Sequence, residues 1–85
     1  MKKVSILIPC YNAEKFVGET LDCCLKQTYE NVEVVLVDDG SKDRSYDIAK
    51  TFESEKIRVF KQPNSGACHA RNFAFEKSSG DYIIY

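Results

Sequence analysis

No apolar run in this 85-residue chain is long enough to cross a bilayer. The longest, such as VEVVLV and VSILI, fall far short of the ~20 residues that a spanning helix needs. Met1-Lys2-Lys3 ahead of VSILI has the outline of a secretory signal, but the run breaks at Pro9 and no small-residue cleavage site follows. An excess of either charge is also missing. Twelve basic residues stand against thirteen acidic ones, a net charge of −1, and the basic residues are scattered. That removes the electrostatic case for nucleic acid or an anionic membrane surface as a partner. There is no C-x-x-C among the four cysteines, and the adjacent Cys23 and Cys24 are poorly placed to bridge each other. Cys10, Cys23, Cys24 and Cys68 therefore read as reduced, small apolar residues of a cytoplasmic protein. A metal site using Cys68 and His69 would need ligands that the sequence does not point to. Internal repeats, linkers and low-complexity stretches are absent. So is a G-x-G-x-x-G after the first apolar run, where PCYNAE stands instead, which argues against a dinucleotide-binding oxidoreductase.

What is present is an ordinary globular balance. Hydrophobic residues at 44% against charged ones at 29% argue against disorder, and 85 residues suffice for a single domain, 1–85. Four runs read as strands: Val4–Ile8, Val32–Val37, Ile57–Lys61 and Tyr82–Tyr85. The first, second and fourth are almost continuously apolar, as when both faces are covered. The third alternates, which suits a strand nearer an edge. Between them lie three helical patterns. Val17, Leu21, Cys24 and Thr28 form a stripe in a helix from about Ala13 to Gln27. Ile48, Ala49 and Phe52 mark a second, from about Arg44 to Ser54, with Asp43 placed as its N-cap. Ala67, Ala70, Phe73, Ala74 and Lys77 mark a third from about Gly66, capped by Asn64 or Ser65 and followed by Gly80 as a left-handed terminator. The order β-α-β-α-β-α-β predicts an α/β fold with a Rossmann-like parallel sheet.

Ligands of such sheets lie outside the carboxyl ends of the strands, where strand order reverses. The unusual residues collect there. PCYNAE (9–14) follows the first strand, the acidic pair Asp38-Asp39 follows the second, and QPNSGACHARN (62–72) follows the third. Pro9 can end a strand, and Asn12 can cap the first helix. Tyr11 can be a half-buried aromatic. Asp38 can accept backbone N–H groups from its own turn, with Gly40 supplying the permissive backbone and Ser41 closing it. Asp39 is then a carboxylate with no evident local task, beside an aromatic ring that can pack on the face of a base.

VSILIPCYNAE, QTYENVEVVLVDDGSKD, QPNSGACHARN and SGDYIIY, in this order and spacing, together resemble the amino-terminal half of a family 2 glycosyltransferase. That is a GT-A fold enzyme using a nucleotide-diphospho-sugar. VDDG alone also resembles response-regulator receivers, but those carry their acidic pair after the first strand rather than the second. The glycosyltransferase resemblance implies a loop at Pro9, Cys10 and Tyr11 around the nucleotide base, with Tyr11 stacked on it and Glu14 close to the nucleotide. It implies that Asp39 accepts the imide N–H of a pyrimidine, which favours a UDP-linked donor and leaves dTDP- and GDP-sugars open. It also implies that Asn64 to Arg71 border the nucleotide, Gly66 allowing close backbone approach and Arg71 reaching phosphate or pairing with Asp38. His69 falls at a variable place and receives no role.

In that family GDYIIY leads into an acidic motif holding Mg²⁺ or Mn²⁺ on the donor diphosphate, so the metal ligands are expected just after Tyr85. An apolar strand at the final residue leads us to expect a truncated, nucleotide-sugar-binding half, inactive by itself. Its parent would transfer a sugar to a saccharide or other hydroxyl acceptor, with inversion. The rival expectation is a non-catalytic nucleotide-binding or assembly module built on the same half-sheet.

Overall fold

The computed structural model describes residues 2–26 and 31–84. Seven elements alternate: β1 (Val4–Cys10), α1 (Val17–Leu25), β2 (Val32–Asp39), α2 (Ser45–Lys50), β3 (Ile57–Gln62), α3 (Ala67–Lys77) and β4 (Tyr82–Ile84). All strand pairs are parallel, in the order β3-β2-β1-β4. The α/β expectation therefore holds. The first two connections move outward on one side of β1, and the third returns to its other side, so strand order reverses at β1. The expected ends at Gln27 and Tyr85 lie outside the described residues.

The sheet is covered on both faces, and each cover follows from a helical stripe. Val17 and Leu21 of α1 and Ala49 of α2 pack with Val34, Leu36, Ile57 and Val59 on one face. Ala70 and Ala74 of α3 pack on Leu7, Val35 and Val37 on the other, flanked by Phe60 and Phe73. Strand β2 lies between both layers, and its residues from Glu33 to Asp39 are all buried. β1 departs from expectation: Ser5, Leu7 and Cys10 are buried, but Ile6 and Ile8 are only partly so. The α1 cover over that strand is incomplete.

Several boundaries move for local physical reasons. β1 runs through Pro9 to Cys10 instead of ending at Ile8. Pro9 is in register with Val37 on β2, inside the ladder rather than after it. β2 and β3 each extend past their expected ends, to Asp39 and Gln62, so both acids lie within a strand. α1 starts at Val17, later than Ala13, although the Val17 N–H already donates to the Ala13 carbonyl at 2.8 Å. Asn12 does not cap it, and no side chain does. α2 is shorter than expected. Arg44 flanks its start, and Asp43 just before accepts the Ser45 N–H at 2.9 Å. Neither Asn64 nor Ser65 caps α3, whose flanking residue is Gly66.

Gly80 does not terminate α3 in a left-handed turn either. Ser78 leaves the helix in an extended conformation. Gly80 is instead needed where the chain crosses β1, because a Cβ there would sit 2.8 Å from the Ser5 nitrogen.

Candidate functional site

The three loops at the carboxyl edge meet. Pro9, Cys10 and Tyr11 from β1, Asp39 from β2, and Gly66 and Ala67 at the start of α3 line one hollow of about 310 Å³. That volume is at the lower end of small-ligand sites. Tyr11 is 46% exposed, so its ring is an open wall of the hollow rather than part of the core. Of the expected site residues, the structure brings Pro9, Tyr11, Asp39 and Gly66 together. Glu14 is exposed and outside the lining, and Arg71 is also outside it. Cys10 and Ala67 complete the wall; the resemblance put both in segments around the nucleotide, 9–11 and 64–71, without giving either a role of its own.

The acidic pair divides its labour. Asp38, 2% exposed, accepts the Ser41 N–H at 2.9 Å and the Ser41 hydroxyl at 2.5 Å, the turn-closing role read from the sequence. It does not pair with Arg71, whose guanidinium instead donates to the Cys68 sulfur at 3.4 Å. Gly40 follows at φ +67°, with a Cβ there falling 2.6 Å from the Asn64 nitrogen. Only glycine permits both that backbone and that approach between loops.

Asp39 is not the idle carboxylate that the sequence suggested. Its Oδ1 accepts the Gln62 amide at 2.8 Å and the Ser65 N–H at 2.7 Å. Its Oδ2 accepts the Gly66 N–H at 3.0 Å and the Asn64 amide at 3.3 Å. A carboxylate on the backbone N–H groups that lead into α3 also complements the positive end of that helix. The Gln62 amide and the Ser65 N–H, against some opposing burial, hold this carboxyl below its ordinary 3.8, with Gly66 and His69 adding to the effect. Asp39 is thus an ionised organiser of the β3–α3 loop and, at the same time, part of the hollow. Gly66 reaches it through φ +99°, a conformation open to glycine and strained for other residues.

Cys10 lies beneath the hollow, 4% exposed. Burial first, and then the Asp38 charge, push its thiol up to about 11, so it is neutral at physiological pH and contributes an apolar surface. All four cysteines are free thiols. Among the described residues no group of three or more His, Cys, Asp or Glu side chains could hold a metal ion. Asp38 and Asp39 have no third such ligand grouped with them among the described residues, so these residues do not fit a divalent cation. No described helix is long and apolar enough to cross a membrane.

A four-stranded parallel sheet with helices on both faces, and a hollow at the strand end where its order reverses, defines a Rossmann-like ligand-binding architecture. The family model described as glycosyl transferase family 2 matches residues 5–85, and the chain belongs to that family. It is 40% identical to an uncharacterized glycosyltransferase of Haemophilus influenzae, over 100% of this chain and 35% of that protein. Glycosyltransferase GlyG of Streptococcus pneumoniae is 41% identical over 94% of this chain and 28% of its own length. Among solved structures, the mannosyltransferase PcManGT of Pyrobaculum calidifontis, in complex with GDP-Man and Mn²⁺, superposes with a TM-score of 0.89 at 26% identity. The match covers 96% of this chain and 26% of that one. S. aureus TarS 1-349 in complex with UDP superposes at 0.87 with 30% identity, covering 95% of this chain and 25% of that one. These neighbours are GT-A fold glycosyltransferases, and the chain corresponds to their amino-terminal, Rossmann-like portion. It spans about a third of the length of the H. influenzae protein and less of GlyG.

Proposed function

We propose that this chain is the nucleotide-sugar-binding part of a glycosyltransferase that moves a sugar from a nucleotide-diphospho-sugar to a saccharide or other hydroxyl acceptor, with inversion. The observation that carries the proposal is the shared hollow. An open aromatic, Tyr11, and an ionised carboxylate, Asp39, face one space with the glycine-flanked start of α3. A base stacks on Tyr11, its imide N–H points at Asp39, and Pro9 and Cys10 close the wall behind it. The free thiols fit the cytoplasmic setting that this reading assigns to the protein.

Asp39 has room for such a ligand despite its four donors. The Asn64 amide makes the longest of the four contacts, at 3.3 Å, and also donates to the Asp39 backbone carbonyl at 3.0 Å. It can give up the carboxylate without being orphaned, leaving Oδ2 a free acceptor position for an imide N–H. Uracil's imide N–H suits that position, and this reading takes UDP as the donor nucleotide over dTDP, which carries the same imide, and GDP, whose ring N–H also donates. Gly66 sets backbone against the ligand; outside the hollow's wall, this reading places Arg71 toward the nucleotide's phosphates and Glu14 close to the nucleotide. The catalytic base, and the acids that would hold Mg²⁺ or Mn²⁺, belong to other parts of the whole protein. By this reading the chain binds nucleotide and does not transfer sugar by itself.

Calorimetric titration with UDP and with GDP tests the reading. UDP is expected to bind more tightly than GDP, and Tyr11→Ala to weaken UDP binding by about tenfold, the usual worth of one aromatic stack. Tyr11 is exposed, so its loss spares the core. Unchanged affinity in that variant would remove the stacking model.

A further inference from the structure

Three successive backbone N–H groups after Tyr11 find no partner within their own loop. Each crosses to a side chain of the β2–α2 loop or of the first residue of α2. Asn12 donates to the Ser41 hydroxyl oxygen at 2.8 Å, Ala13 to that of Ser45 at 2.6 Å, and Glu14 to the Asp43 carboxylate at 3.2 Å. One bond returns: the Lys42 N–H donates to the Asn12 side-chain carbonyl at 2.8 Å. Each serine is fixed in turn. The Ser41 hydroxyl donates to Asp38 at 2.5 Å and the Ser45 hydroxyl to Asp43 at 2.5 Å. An oxygen whose own proton is committed to a carboxylate has only its acceptor side left, and the Asn12 and Ala13 N–H groups occupy it. Asn12 is held at φ +47°, the one described non-glycine residue with positive φ, a conformation that asparagine tolerates but that the surroundings must maintain.

We propose that Ser41 and Ser45 are positioning residues for the nucleotide site. Two carboxylate–serine relays clamp the 12–14 segment and thereby set the angle at which Tyr11 faces Asp39. This inference rests on the nucleotide-binding reading above. The clamp itself is a property of the free protein, which allows the two to fail separately. Neither serine lines the hollow, so their effect on a ligand runs through the loop.

The test uses Ser41→Ala, Ser41→Thr and Asn12→Gly. Alanine removes the relay; threonine keeps the hydroxyl at a half-buried site. Glycine keeps the positive φ while deleting the Lys42 contact, so it reports on the clamp without backbone strain. Two readouts are taken: amide exchange at Asn12 and Ala13 by NMR, and the Kd for UDP. In Ser41→Ala and Asn12→Gly, exchange at these amides is expected to rise about tenfold or more, with Val35 and Val37 of β2 unchanged. UDP affinity is expected to fall by about fivefold, and threonine to restore both readouts to within twofold of wild type. Unaltered exchange in the alanine and glycine variants overturns the clamp. So does equal loss in alanine and threonine, which would make Ser41 a packing residue. If the parent protein binds no UDP, the nucleotide reading falls, and the exchange readout alone still decides whether the relay holds the loop.

Discussion

Two glycines at the rim are constrained differently, and the difference is measurable. Gly40 has φ +67° and a virtual Cβ 2.6 Å from the Asn64 nitrogen; Gly66 has φ +99° and nothing within 4 Å of the corresponding point. Alanine at position 66 therefore meets no collision, only the backbone cost of φ +99° and ψ +158°, a region essentially confined to glycine, about 2 kcal/mol. Alanine at position 40 adds a collision with main chain that cannot rotate away, and is expected to cost about 3 kcal/mol. Denaturant unfolding of the two variants checks the order, and an equal loss would show that the Gly40–Asn64 approach is not tight. The local part of this was legible in sequence: D-D-G-S announces a turn needing a permissive residue, and Asp38 closing on Ser41 is a contact three residues long. What Asp39 does was not legible. Its four donors come from positions 62 to 66, with a helix and a strand intervening, and no local pattern encodes a bond of that span.

At the level of elements, the opposite end of the sheet carries its own buried acid. Glu33 on β2, 5% exposed, accepts the Ser5 hydroxyl of β1 and the Ser79 N–H of the segment leading to β4, both at 2.6 Å. Lys3 lies 3.5 Å away and Arg58 of β3 3.3 Å away. One carboxylate thus ties together residues beside or within all four strands. Burial alone would raise its pKa, but the Ser5 and Ser79 donors and the two cations outweigh that and hold it below its ordinary 4.5. Glu33→Ala strands those donors in a buried site and is expected to destabilise the fold by about 3 kcal/mol. Glu33→Gln, which retains an acceptor for the Ser79 N–H, should lose less. Thermal unfolding of both variants separates hydrogen bonding from charge; equal losses would assign the effect to charge alone. Elements were the most legible scale, because unbroken apolar runs and a period of 3.6 are written in the residues themselves. Their ends were not, since they depend on distant partners. Asn12 looks like a helix cap until the β2–α2 loop is brought beside it, and Gly80 looks like a terminator until β1 lies under it.

Across the whole molecule, the two layers bury different side chains, and the hollow sits against the one that rests on alanines. α1 and α2 bury Val17, Leu21 and Ala49, supported by Ile48, Phe52 and Cys24. α3 buries only Ala70 and Ala74, with Phe73 partly covered, while Cys68, His69, Asn72, Phe75 and Glu76 face outward. Apolar area sets most of the resistance to local opening, so α3 should open at lower free energy than β2, whose core residues Val34 to Val37 are between 0% and 2% exposed. Native-state hydrogen exchange is expected to show α3 amides less protected than those of β2. Opening α3 removes Gly66 and Ala67 from the hollow and with them the bound conformation of the site. A nucleotide held there must be released before α3 can open, so UDP at a hundredfold excess over its Kd should slow α3 exchange by up to about 100-fold. Amides of α1 from Leu21 to Leu25, away from the hollow, should change little. At the same UDP concentration Tyr11→Ala, binding about tenfold more weakly, should cut the slowing to about tenfold, because the ring is one wall of the hollow and α3 is the other. Slowing spread evenly over both layers would mean that the ligand senses global unfolding alone; no slowing in α3 at saturating UDP would place the nucleotide elsewhere on the protein.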